Sequence, residues 1–137
     1  MKTTAAILLL LLTTAAIVSL LGLASFASAT WFGSGEHWQD KAKARWHVER
    51  ACKGYDGNAG KFQGVFKPGE TRSLCVQHSG TQKLDFIIKN ENQGASIDLG
   101  DDDCVLRLQN EINGCNEGGW NRVSGWYFSS DPNNGLC

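Results

Sequence analysis

The sequence predicts an α+β fold, an α/β sandwich in which two helices pack on a mainly antiparallel sheet of about five strands. Three observations predict it. Two stretches, 36–52 and 101–114, carry apolar residues at helical spacing and are closed by Gly54 and Gly114. Between them the period switches to two, most clearly where Leu84, Phe86 and Ile88 alternate with Asp85, Ile87 and Lys89. Short Gly-, Asn- and Pro-bearing turns join the alternating segments, which makes neighbouring strands antiparallel. The predicted element order is α-β-β-β-β-α-β, stabilised by disulfides.

In the first helix, with Ser34 or Gly35 near its N-cap, Ala44, Val48, Ala51 and Cys52 share one side. Trp38, Ala42 and Trp46 gather beside them. A first strand is expected over 61–67, with Phe62 and Phe66 on one face and Pro68-Gly69 as its turn. The second, 72–78, places Leu74 and Val76 opposite Cys75, and the third is 82–90. Ile87 makes both faces of that strand partly apolar, so a helix or a partner is expected over part of the second face. A short fourth strand over 95–99 leads to Asp101-Asp102-Asp103, acidic residues where a helix N-terminus favours them. Cys104, Leu108, Ile112 and Cys115 then share one face. After a loop at 115–119, a fifth strand over 122–130 carries Trp126 and Phe128 on one face and Tyr127 on the other, and 131–135 turns to Cys137.

Residues 1–29 read as a secretory signal peptide: Lys2 precedes a nearly unbroken apolar run, and Ala27-Ser28-Ala29 has the small-x-small form of a cleavage site. The remaining 30–137 is the length of one small domain, for which oxidised cysteines are a useful support outside the cell. The disulfide candidates are Cys52, Cys75, Cys104, Cys115 and Cys137. Their odd number leaves one without a partner in the chain, and spacing does not choose which. Setting Lys2 aside from the 13 basic residues leaves 12 against 14 acidic, net −2. That balance argues against nucleic acid and, once the signal is removed, against a membrane partner. The expected location is extracellular.

His37 and His47 lie ten residues apart on the expected helix, about 15 Å along its axis, too far to grip one ligand together. His78 with His47 and Glu49 is the remaining basis for a small secreted ribonuclease or hydrolase. Asp98 and Asp101 to Asp103 lack the spacing of a calcium loop, and helix initiation explains them, so neither metal nor cofactor is expected. With no nucleophile elbow or phosphate loop, the sequence favours binding over catalysis. Five tryptophans point to an aromatic contact surface. Trp126 is expected in the core and Trp120 at the surface. The candidate ligand-binding residues are Trp120, Asn121, Arg122, Tyr127, Asp131, Asn133 and Asn134, from the segments 116–122 and 131–134 that flank the last strand; they form one site only if both segments lie at the same end of the sheet.

Asp103-Cys104-Val105, Glu111-Ile112-Asn113-Gly114-Cys115, Gly118-Gly119, Trp126-Tyr127-Phe128 and Asp131-Pro132-Asn133 through Cys137 together resemble the Y3-like family of small secreted fungal glycan-binding proteins. The strand Phe62-Gln63-Gly64 and the Lys-Pro-Gly-Glu-Thr turn before Cys75 support the likeness. The resemblance implies a lectin-like, non-enzymatic protein that recognises N-acetylhexosamine-bearing glycans or glycoproteins. It also implies a defence, toxin or effector role and a sheet able to join that of a second copy in a homodimer. A further cysteine near the mature N-terminus would make the count even; Trp31 and Phe32 occupy that region. An effector gripping a protein partner through the same aromatic surface is the alternative.

Overall fold

The computed structural model describes residues 29–137, so the expected signal segment, Ala29 apart, lies outside the described residues. Within them the chain runs β1 (Ala29–Trp31), α1 (Lys41–Lys53), β2 (Val65–Phe66), β3 (Thr71–Gln77), β4 (Gln82–Asn90), β5 (Ile97–Asp98), α2 (Asp101–Gly114), β6 (Gly119–Val123) and β7 (Trp126–Asn134). The α+β class and the two helices stand as expected. No helix among the described residues is long and apolar enough to cross a membrane.

Helix α1 starts later than the glycine-free run implied, and neither Ser34 nor Gly35 caps it. Asp40 is the N-cap, its carboxylate accepting the Lys43 N–H at 3.0 Å. Trp38, just upstream, is drawn out of helical register by the far end of the molecule: its indole donates to the Cys115 carbonyl at 2.7 Å and its backbone N–H to that of Asn116 at 3.1 Å. Gly54 ends the helix as expected, its N–H returning to the Arg50 carbonyl. In α2 the three aspartates fill the first turn, with Gly100 as N-cap.

The main sheet has the order β1-β6-β7-β4-β3, antiparallel throughout. The strands expected over 61–67 and 95–99 shrink to β2 and β5, which pair only with each other. The first loses its beginning because Phe62 instead donates its N–H to the Ala51 carbonyl at the end of α1. At Gly60 the backbone passes so close to α1 that a Cβ would sit 2.2 Å from the Ala51 oxygen. The expected fifth strand is really the hairpin β6–β7. Ser124 and Gly125, both at positive φ, reverse the chain in a two-residue turn. Residues 131–134 are not a turn but the continuation of β7 along β4, with Asp131 opposite Asp85 and Asn133 opposite Lys83. Pro132 is tolerated there because it lies beyond the end of β6, where β7 has no neighbour on that side.

Both helices cover one face. Val48 and Cys52 of α1 and Cys104, Leu108 and Ile112 of α2 meet Leu84, Phe86, Ile88, Trp126 and Phe128 of the sheet in one core. Cys52–Cys104 staples helix to helix, and Cys75–Cys137 ties the C-terminal tail to β3. Cys115 is the unpaired thiol, and it is buried. It lines a shallow pocket with Trp31 and Phe32. Neither helix covers the second face of the sheet, so of the two covers expected from Ile87, a helix or a partner, the helix is not the one.

Candidate functional site

Alternation along the hairpin sorts the candidate residues by face. On the helix-free face Trp120 stands opposite Ser129 and Arg122 opposite Tyr127, while Asp131 and Asn133 follow along β7. The segments 116–122 and 131–134 therefore lie at the same end of the sheet, since Gly119 pairs with Ser130. Both reach that position as paired strands, with loop only at 116–118. Gly118 makes the close approach possible: at φ +81, a Cβ there would lie 2.3 Å from the Ser130 carbonyl.

Trp120 and Tyr127 stack, their ring centres 5.9 Å apart and their planes 28° from parallel. Arg122 extends over both rings, 5.1 and 5.2 Å from their centres, and its Nε donates to the Glu91 carboxylate at 3.0 Å. Further along the face, the Asn133 side-chain amide donates to Asp85 at 2.7 Å and to Asp131 at 3.1 Å. Partial burial holds the Asp131 carboxyl above the usual carboxylate range; the bond from Asn133 opposes this and the Asp85 charge adds to it. Ile87 and Lys89 of β4 share this face, half-buried. The arrangement offers an aromatic plate bordered by a guanidinium at one end and a carboxylate–amide cluster at the other, both able to hydrogen-bond hydroxyls.

Two candidate residues are elsewhere. Asn121 points to the helix side, where it is buried and donates to the Glu111 carboxyl. Asn134 is exposed at the end of β7, in register with the buried Gln82 and so on the opposite parity to Asn133. The cause is the same for both: a residue expected in a loop takes the fixed alternation of a strand. Sequence reasoning passed over Glu91 and Asp85; Asp85 was signalled by its place beside Ile87 and Lys89 in the alternation of β4.

Glu111 is fully buried beneath β6, and burial pushes its carboxyl up to about 7, against the hydrogen bond from Asn121. The second carboxyl oxygen has no partner among the described residues. His47 and His78 do come together, ring centres 5.7 Å apart. Burial first, then His78, Lys43 and Arg50, lowers His47 to about 4, and burial lowers His78 too. His37 is separate and bonds Glu117 at 3.1 Å. Trp126 is buried as expected, whereas Trp46 is half exposed on α1.

No curated protein and no solved structure matches the chain. A family model described as glycan binding domain Y3 matches residues 44–137, a span that holds most of α1, every strand but β1, both disulfides and the aromatic face. With well over half of its length so matched, the chain belongs to the glycan binding domain Y3 family.

Proposed function

We propose that this protein is a secreted, non-enzymatic lectin that presents the helix-free face of its sheet to glycans bearing N-acetylhexosamine, in a defence, toxin or effector role. The observation that carries the reading is the Trp120–Tyr127 stack, bordered by Arg122 and by the Asp85–Asn133–Asp131 cluster on a face that no element among the described residues covers. An aromatic plate takes the apolar side of a pyranose, and fixed carboxylate and amide groups take its hydroxyls. Family membership supports a glycan as the partner. The seven-residue edge strand β3 is the longer free edge of the sheet and the one suited to pairing with a second copy.

A glycan array on the oxidised protein, run beside Trp120→Ala, tests the reading. N-acetylhexosamine-bearing glycans are expected to bind, and the variant to lose at least tenfold in affinity. Binding to no glycan above background, or binding that Trp120→Ala leaves untouched, removes it; capture of a protein target that survives deglycosylation supports the protein-effector alternative instead.

A further inference from the structure

A second site lies on the opposite side of the molecule, between α1 and the edge strand β3. Here a cleft of about 520 Å³ is walled by Trp46 and Tyr55 on one side and by Leu74 and Val76 on the other, a volume in the range of small-ligand sites. Trp46 and Tyr55 are 49% and 43% exposed, unlike the other helix-side aromatic residues Phe62, Phe66 and Phe86, which are buried. Between the two rings sits the Arg50 guanidinium, 4.4 Å from the centre of Trp46 and 3.7 Å from that of Tyr55. Rings on its flat surfaces fix its orientation, and its N–H edge has no hydrogen-bond acceptor or ion-pair partner among the described residues. Lys61 also lines the cleft, His47 closes it, and no Asp or Glu contributes to its lining. In a chain with a net charge of −1, a cleft with two permanent cations and no carboxylate is a local arrangement, not the general surface character.

We infer that this cleft binds an anionic sugar, its carboxylate or sulfate taken by the Arg50 fork and its apolar face resting on the walls made by Trp46, Tyr55, Leu74 and Val76. A planar guanidinium held in advance loses little freedom on forming a bidentate pair with an oxyanion. The inference rests on the glycan-binding reading of the chain but assigns the acidic sugar to a site separate from Trp120.

Isotope-labelled protein titrated with methyl glucuronide, glucose 6-sulfate and neutral methyl glucoside tests it, with the Arg50 Nε–H and the indole N–H signals of Trp46 and Trp120 followed by nuclear magnetic resonance. At least one acidic sugar is expected to move the Arg50 and Trp46 signals while Trp120 stays in place, at least tenfold more tightly than the neutral sugar. Response to glucuronide alone identifies a carboxylate ligand, and response to the 6-sulfate alone a sulfated one. Arg50→Gln is expected to cost at least tenfold in affinity. Where the glutamine variant does not fold, Arg50→Lys, which keeps the charge and loses the fork, is expected to show the same loss. A preference under tenfold, shifts centred on Trp120, or an unchanged affinity in the folded variant overturns the inference. If this site stays silent while array binding still depends on Trp120, the second site falls and the proposed function stands; if both are silent, both fall.

Discussion

Asn121 donates its side-chain amide to the buried carboxyl of Glu111, joining the inner face of β6 to the last turns of α2. The pair sits directly beneath the strand whose outer face carries Trp120 and Arg122, so the ionisation of Glu111 bears on the strand that presents the aromatic plate. A carboxyl pushed up to about 7 holds its proton in the folded chain where the unfolded chain, at 4.5, has released it. Stability therefore falls as pH rises through the window from about 4.5 to 7, by on the order of 3 kcal/mol in all. Glu111→Gln keeps the shape and removes the charge. In urea midpoints measured from pH 4 to 8, the variant is expected to gain on the native chain above pH 7 and to match it at pH 4; parallel curves would exclude Glu111 as the source.

The histidine pair works in the other direction. With His47 lowered to about 4, the unfolded chain binds the extra proton between that value and 6.5, so this group's contribution is complete above 6.5 and is lost as pH falls toward 4. Since the ring is only partly buried, the effect is set at about 1–2 kcal/mol. His47→Gln is expected to flatten the acid limb of the same urea series and to leave its alkaline limb in place. An acid limb as steep as in the native chain would assign the loss to other groups.

Trp120→Ala should separate binding from folding. Half-buried and stacked on Tyr127, the indole contributes about 1 kcal/mol through that contact, so the midpoint of thermal unfolding is expected to fall by only a few degrees. Trp126→Ala, in the core beside Phe66 and Phe128, is expected to cost about 3–5 kcal/mol. Differential scanning calorimetry on the two variants checks the ordering, and a Trp120 variant that unfolds as readily as the Trp126 variant would place Trp120 in the structural core.

Gly118→Ala is expected to cost more than about 2 kcal/mol, since the new methyl meets the Ser130 carbonyl at a backbone angle that suits glycine. The damage should centre on β6, read as lost amide-exchange protection at Trp120 and Asn121, with β3–β4 intact. Unchanged protection in β6 would show that the loop shifts without cost.

Much of this architecture was legible in the sequence. Leu84, Phe86 and Ile88 announced the central strand because strand alternation is local, and Cys104, Leu108 and Ile112 announced the inner face of α2 because helix periodicity is local as well. What escaped was set by distant contacts. The entry to α1 depends on Trp38 reaching the Cys115 carbonyl, and 131–134 runs straight along β4 despite a composition that favours a turn. The same override dispersed the candidate site: Trp120, Arg122, Tyr127, Asp131 and Asn133 share a face, while Asn121 and Asn134 fall to the other parity. The pairing of the thiols was illegible for the same reason, as it depends on which helix faces and strand edges meet.

The thiol of Cys115 offers a chemical check on that pairing. Burial first, with the nearby Glu111 charge, pushes it up to about 12, so almost no thiolate exists at pH 8. Ellman's reagent is expected to find no reactive thiol in the native protein, one in denaturant and five after reduction. A thiol that reacts at once in the native protein would contradict its burial.

The edge strand β1 has a consequence in time. It spans Ala29–Trp31, of which the expected signal cleavage leaves Thr30 and Trp31, and its partners in β6 lie about ninety residues away in the chain, so it can dock only after the β6–β7 hairpin exists. It should be the last segment of the main sheet to close and the first to open, with amide exchange faster than in any other strand of that sheet. Each opening uncovers the outer edge of β6, with Asn121 and Glu111 just inside it. The proton on that buried carboxyl is then expected to exchange with solvent no faster than this short edge strand opens.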